Sequence, residues 1–121
     1  MKILIIDDDV ELTKALENII TGIGHDVQST NDPKVGLKLI KEQTNDIVLL
    51  DLAMPEFSGA DIVNSLIEDN KIKLKNIVII TASATSDEEL QHLVDLGVHS
   101  ILRKPIGIDD ILDKIEEVSS S

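Results

Sequence analysis

Three apolar runs in this chain end on reactive polar residues. Ile3 to Ile6 leads into Asp7, Asp8 and Asp9, Ile47 to Leu50 into Asp51, and Ile77 to Ile80 into Thr81. A fourth segment, His99 to Arg103, ends on Lys104-Pro105. Between these runs the apolar residues switch to helical spacing: Leu12, Ala15, Leu16 and Ile19; Leu37 and Ile40; Ile62, Val63, Leu66 and Ile67; Leu90, Leu93 and Val94; Ile108, Ile111, Leu112 and Ile115. Strand followed by helix, five times over, predicts a parallel α/β sheet with helices on both faces, since parallel strands need a crossover and the helix supplies it.

The boundaries are written in capping chemistry. Asp9 is placed to cap the first helix, Asp32 followed by Pro33 suits the start of the second, Ser58 the third, and Ser86 with Glu89 has the spacing of a capping box for the fourth. Gly22 and Gly24 are expected to stop the first helix and Gly97 the fourth, while the fifth begins near Gly107 with a weaker signal. An interior parallel strand is buried on both faces and reads as continuous apolar sequence, so the runs at Ile3, Ile47 and Ile77 are interior. Asp26 to Thr30 and His99 to Arg103 read as edges. Right-handed crossovers then give the order 2-1-3-4-5, whose winding reverses between strands one and three and opens a crevice beside Asp7, Asp8 and Asp51.

Composition excludes several classes of function. With 121 residues, 42% of them hydrophobic, the chain can bury one good core, so residues 1–121 are expected to form a single domain with a short polar tail at 119–121. No cysteine is present, which removes disulfide frameworks and thiolate metal sites. No apolar stretch is long enough for a membrane span or a secretory signal, and the expectation is a soluble cytoplasmic protein with no membrane partner. A formal net charge of -12 and a single aromatic residue, Phe57, argue against direct nucleic-acid binding, because phosphate backbones are repelled and base stacking lacks rings. Glu116-Glu117 and Asp87 to Glu89 read as solvated surface. The histidines His25, His92 and His99 lack ligand spacing, and Phe57 and Met54 read as packing residues.

Acidity matters where carboxylates are forced together. Neighbouring strands lie about 4.8 Å apart, so the carboxylates ending strands one and three approach closely. Each like-charged pair costs on the order of 3 kcal/mol at an effective dielectric near 20. A divalent cation offsets that repulsion, and an all-oxygen site with room for water and phosphate oxygens favours Mg²⁺, with Mn²⁺ as a substitute, over Zn²⁺. Lys104 lies two strands from Asp51, about 10 Å away, a gap its side chain and a bound phosphate bridge together. Thr81, on the strand between them, offers a hydroxyl to a phosphate oxygen.

On these residues the chain resembles the receiver domain of two-component response regulators, a flavodoxin-like fold. The resemblance runs from Met1 to about Val118. Asp7 and Asp8 match the acidic pair of that family, Asp51 the phosphoacceptor, Met54-Pro55 with Gly59 the loop that follows, Thr81-Ala82 the switch hydroxyl and its small neighbour, and Lys104-Pro105 the lysine and a proline that usually follows a cis peptide. The resemblance implies Mg²⁺ held by Asp8, Asp51, the Ala53 carbonyl and, through water, Asp7. It implies that Asp51 takes a phosphoryl group from a sensor histidine kinase or phosphotransfer protein, with Lys104, Thr81 and the Ala82 amide sharing its charge. It further implies a signalling switch, not a conventional enzyme, that alters a face of the fourth helix, fifth strand and fifth helix read by a downstream protein, as a monomer or weak homodimer.

Some positions depart from the family pattern. Ile101 stands where a tyrosine or phenylalanine is usual, so no ring fills the space Thr81 would vacate. Ala53 and Ser83, at positions that tune phosphoryl lifetime, are both small. With only Ser119 to Ser121 beyond Val118, the chain resembles a stand-alone receiver or a fragment of a longer regulator. A relay intermediate that passes phosphate to a histidine phosphotransfer protein and a non-switching pseudo-receiver are the alternatives, although a pseudo-receiver is expected to lack Asp51 or Lys104. A haloacid-dehalogenase-type phosphatase needs a second carboxylate where Ala53 stands. A flavodoxin-like cofactor carrier needs a glycine-rich phosphate loop in place of Asp7-Asp8-Asp9.

Overall fold

A computed structural model of the protein describes residues 1–54, 56–69, 74–82 and 85–120. Pro55, Ser83 and Ser121, named in the sequence reading, lie outside the described residues. The elements alternate throughout: β1 (Lys2–Ile6), α1 (Val10–Ile23), β2 (Asp26–Thr30), α2 (Pro33–Glu42), β3 (Ile47–Asp51), α3 (Gly59–Glu68), β4 (Ile77–Thr81), α4 (Asp87–Leu96), β5 (Ser100–Arg103) and α5 (Ile108–Ser119). All four ladders are parallel and the order is β2-β1-β3-β4-β5, as the apolar character of the runs predicts.

Alternating side chains divide the core into two layers. Leu4, Ile6, Val48, Leu50, Ile77 and Ile79 face α2, α3 and α4, where Ile40, Ile62, Leu66, Leu90 and Leu93 meet them. Ile3, Ile5, Ile47, Leu49, Val78 and Ile80 face α1 and α5 and pack on Leu16, Ile20, Ile111 and Ile115. The outer strands are more exposed than the three inner ones, whose apolar residues are all buried. Ile19, Ile67 and Val94 continue the helical spacing yet remain exposed, because they sit at the margin of each apolar stripe, where the sheet no longer covers them.

Helix ends follow the expected chemistry with local differences. The Asp9 carboxylate accepts from the Leu12 amide and Asp32 from Lys34, with Pro33 opening α2. The reciprocal capping box forms at α3, where Ser58 accepts from the Asp61 amide and Asp61 accepts from the Ser58 amide. At α4, Ser86 accepts from the Glu89 amide. Gly22 lies inside α1, and the stop comes at Gly24, whose φ of 114° turns the chain out of the helix. α5 includes Ser119, so helix replaces the first residue of the expected polar tail. Phe57 is half-buried against the layer beneath α2 to α4 and Met54 is buried there, which makes Phe57 a loop anchor.

One glycine decides how closely α3 can approach the end of β3. A Cβ on Gly59 would stand 2.5 Å from the Asp51 carbonyl oxygen and 2.9 Å from the Leu52 Cα, both rigid backbone atoms. The Gly59 amide donates to the Leu52 carbonyl at 3.0 Å, closing the loop that carries Ala53. Gly59→Ala is expected to cost about 1–3 kcal/mol in urea unfolding, and a stability equal to wild type would show that α3 shifts freely.

Candidate functional site

The carboxyl edge of the sheet collects the polar residues. Ile6 pairs with Leu50 and Asp51 with Ile80, so the chain leaving β1 and the last residue of β3 meet at one rim. Asp7, Asp8 and Asp51 each offer a carboxylate oxygen, and these oxygens all lie within 4.8 Å of one another. Asp7 and Asp51 are buried, at 1% and 2% exposure, whereas Asp8 faces solvent.

Hydrogen bonds hold Asp7 in place. Its Oδ1 accepts from the Asp9 amide at 2.9 Å. Its main-chain carbonyl accepts from Asn31 Nδ2 at 2.8 Å, and the same nitrogen donates to Thr13 Oγ1 at 3.1 Å. Thr13 is buried and donates to the Val10 carbonyl at 2.9 Å. Asn31 and Thr13 escape a reading of the sequence because a loop asparagine and a helical threonine are ordinary there. Their meeting beneath Asp7 depends on α1 docking beside β1 and β2.

Lys104 reaches across the rim. Its Nζ lies 3.3 Å from Asp7 Oδ2 and 3.8 Å from Asp51 Oδ1. The side chain itself therefore spans the interval estimated from strand spacing. The Lys104 amide donates to the Thr81 carbonyl at 2.7 Å, which ties its backbone to β4, and the Lys104-Pro105 peptide is cis.

Asp51 Oδ1 accepts from the Ala53 amide at 3.3 Å. Burial, and then the charge of Asp7, push its carboxyl up from 3.8 to about 6, against the opposing pull of Lys104 and the Ala53 amide. Thr81 is fully buried and its Oγ1 lies 2.6 Å from Thr85 Oγ1, a partner without a sequence signal of its own. Ala53 and Ala82 are exposed beside the site, and Ile101 is half-buried on β5 against the layer beneath α2 to α4. Asp9 caps α1 as expected, and of the histidines set aside on spacing, His99 Nδ1 contacts Ser100 Oγ at 2.9 Å and His25 Nδ1 lies 3.2 Å from the terminal amine.

The donor set is three convergent carboxylates, two of them buried and one open to solvent, with no nitrogen or sulfur ligand among the grouped residues. Hard divalent cations prefer such oxygen donors and retain water on the open side, so the cluster fits Mg²⁺ or Mn²⁺.

A 2-1-3-4-5 sheet with an acidic cluster at its switch point and one lysine reaching over it defines a receiver-type α/β domain. The chain belongs to the response regulator receiver domain family, matching it over residues 3–116. It is 30% identical over 120 residues to the probable chemotaxis protein CheY of Rhizobium etli, covering 98% of this chain and 92% of that protein. It is 28% identical over 113 residues to the transcriptional regulatory protein KdpE of Mycobacterium tuberculosis, covering 93% of this chain and 48% of the relative. The chain thus spans about half the length of that regulator. The receiver domain of Francisella response regulator 1452 has the same fold, with a TM-score of 0.86 at 24% identity, covering 98% of this chain and 96% of that one. Receivers are signalling switches of two-component systems and interact with histidine kinases and downstream targets. Among the described residues, no helix is long and apolar enough to cross a membrane.

The raised carboxyl of Asp51 has a definite sign in stability. Folding binds its proton more tightly than the unfolded chain does, so the group's contribution is fully present below pH 3.8 and is lost as pH rises through about 6. Without metal, Asp51→Asn is expected to gain about 3 kcal/mol over wild type at neutral pH and progressively less toward pH 5. Melting curves in a chelator test this, and a variant less stable than wild type at neutral pH would refute the electrostatic account.

Proposed function

We propose that this domain is a phosphoacceptor switch in which Asp51 takes a phosphoryl group from a phosphohistidine on a sensor histidine kinase or phosphotransfer protein. The observation that carries this reading is the placement of Lys104 Nζ between Asp7 and Asp51, at 3.3 and 3.8 Å, above three clustered carboxylates. In the transfer, an Asp51 carboxylate oxygen forms a bond to phosphorus while the phosphorus–nitrogen bond to imidazole breaks, leaving its electron pair on nitrogen. An acyl phosphate on Asp51 results.

Asp8, Asp51 and the Ala53 carbonyl would hold Mg²⁺, or Mn²⁺ in its place, with Asp7 contributing through water. The ion supplies charge neutralisation at the carboxylates and the phosphoryl oxygens. The Ala53 amide orients the Asp51 carboxylate. Lys104 donates to the phosphoryl group, and the Thr81 hydroxyl and Ala82 amide receive its remaining oxygens.

A phosphoryl group draws Thr81 toward Asp51 and biases an equilibrium in the loop after β4, α4 and β5. Ile101 follows this shift by a change of packing, since it has no ring to swing. The face formed by α4, β5 and α5 then meets a downstream protein, and residues 1–121 act as a single receiver domain, cytoplasmic and without direct contact with nucleic acid.

Acetyl phosphate with Mg²⁺ is expected to add one phosphoryl mass to the wild-type protein and none to Asp51→Asn, as read by intact-mass spectrometry. An unmodified wild type, under conditions that modify a control receiver, refutes the proposal.

A further inference from the structure

The Thr81 hydroxyl that a phosphoryl group would recruit is already engaged. Its oxygen lies 2.6 Å from Thr85 Oγ1, and Thr85 is itself fixed from two other directions. The Thr85 amide donates to the Ala82 carbonyl at 3.2 Å, and the Thr85 carbonyl accepts from Arg103 Nη1 at 2.9 Å. Arg103 sits directly across the ladder from Thr81, and its Nη2 pairs with the Asp87 carboxylate in the first turn of α4. One guanidinium therefore joins the end of β5, the β4–α4 loop and the start of α4.

We propose that Thr85, fastened by Arg103, is a positioning residue that holds the Thr81 hydroxyl away from the phosphoryl site, so that phosphoryl uptake must exchange the Thr81–Thr85 hydrogen bond for one to a phosphoryl oxygen. This rests on Asp51 being the phosphoacceptor. A threonine hydroxyl has one proton to donate. Turning it toward Asp51, on the neighbouring strand, gives up the 2.6 Å contact. The fastening is light: the Arg103 and Asp87 side chains are 36% and 99% exposed, and such pairs are weak and screened by salt. It biases the placement of Thr85 without locking it. It also links Thr81 to α4 through polar contacts in a chain whose Ile101 carries no ring.

The experiment measures beryllofluoride affinity in the presence of Mg²⁺. Calorimetry or fluorine NMR is the readout, because the chain has no tryptophan or tyrosine. Thr85→Val keeps the shape of the side chain and removes its hydroxyl, and is expected to bind about three- to tenfold more tightly than wild type, since a larger fraction is then competent. Thr85→Ala should move the same way if valine packs badly, and Thr85→Ser should restore wild-type affinity. Valine and alanine variants that bind no more tightly than a binding-competent wild type overturn the positioning role, as does a serine variant that behaves like valine. Failure of wild type and all variants to bind overturns the phosphoacceptor reading and this inference with it.

Discussion

The contact between Lys104 and the two buried aspartates is the interaction on which the rim depends. Asp7 and Asp51 are nearly inaccessible to water, and an uncompensated carboxylate in such a position is costly. One ammonium at 3.3 and 3.8 Å offsets part of that cost. Three carboxylates against one ammonium still leave an acidic excess, which is why burial and Asp7 raise the Asp51 carboxyl despite the lysine. A divalent cation would offset the repulsion that remains, which is why this donor set suits one.

The scaffold tolerates this because its polar strain is confined to strand ends. Below the rim the sheet is apolar on both faces, with α2 to α4 closing one layer and α1 and α5 the other. Backbone hydrogen bonds then fix each functional group: the Asp9 amide on Asp7, the Ala53 amide on Asp51, and the Thr81 carbonyl on the Lys104 amide. Gly59 lets α3 begin against the Asp51 carbonyl.

The fold was legible because parallel strands advertise themselves as unbroken apolar runs and helices as interrupted ones. The strand order followed from the same contrast, since Asp26 to Thr30 and His99 to Arg103 are too polar to lie inside. The principal site candidates were visible as well, because Asp7, Asp8, Asp51, Thr81 and Lys104 all fall at the ends of those runs. What escaped was the convergence of side chains that lie outside the apolar runs. Asn31 and Thr13 beneath Asp7, and Thr85 and Arg103 around Thr81, become partners only when helices and loops dock, and local pattern carries no trace of docking. The reach of Lys104 was underestimated for a related reason: strand spacing measures backbones, and an extended lysine spans more than one interval.

The sequence separation of the rim has a consequence for how the protein comes into being. Asp7 and its ammonium partner are 97 residues apart, and the other two acidic groups and the hydroxyl are contributed on the way between them. During translation the acidic half of the site emerges first, and its counter-charge arrives only with the end of the last strand. A nascent chain therefore holds Asp7 and Asp51 without the Lys104 ammonium until the segment after β5 has been made.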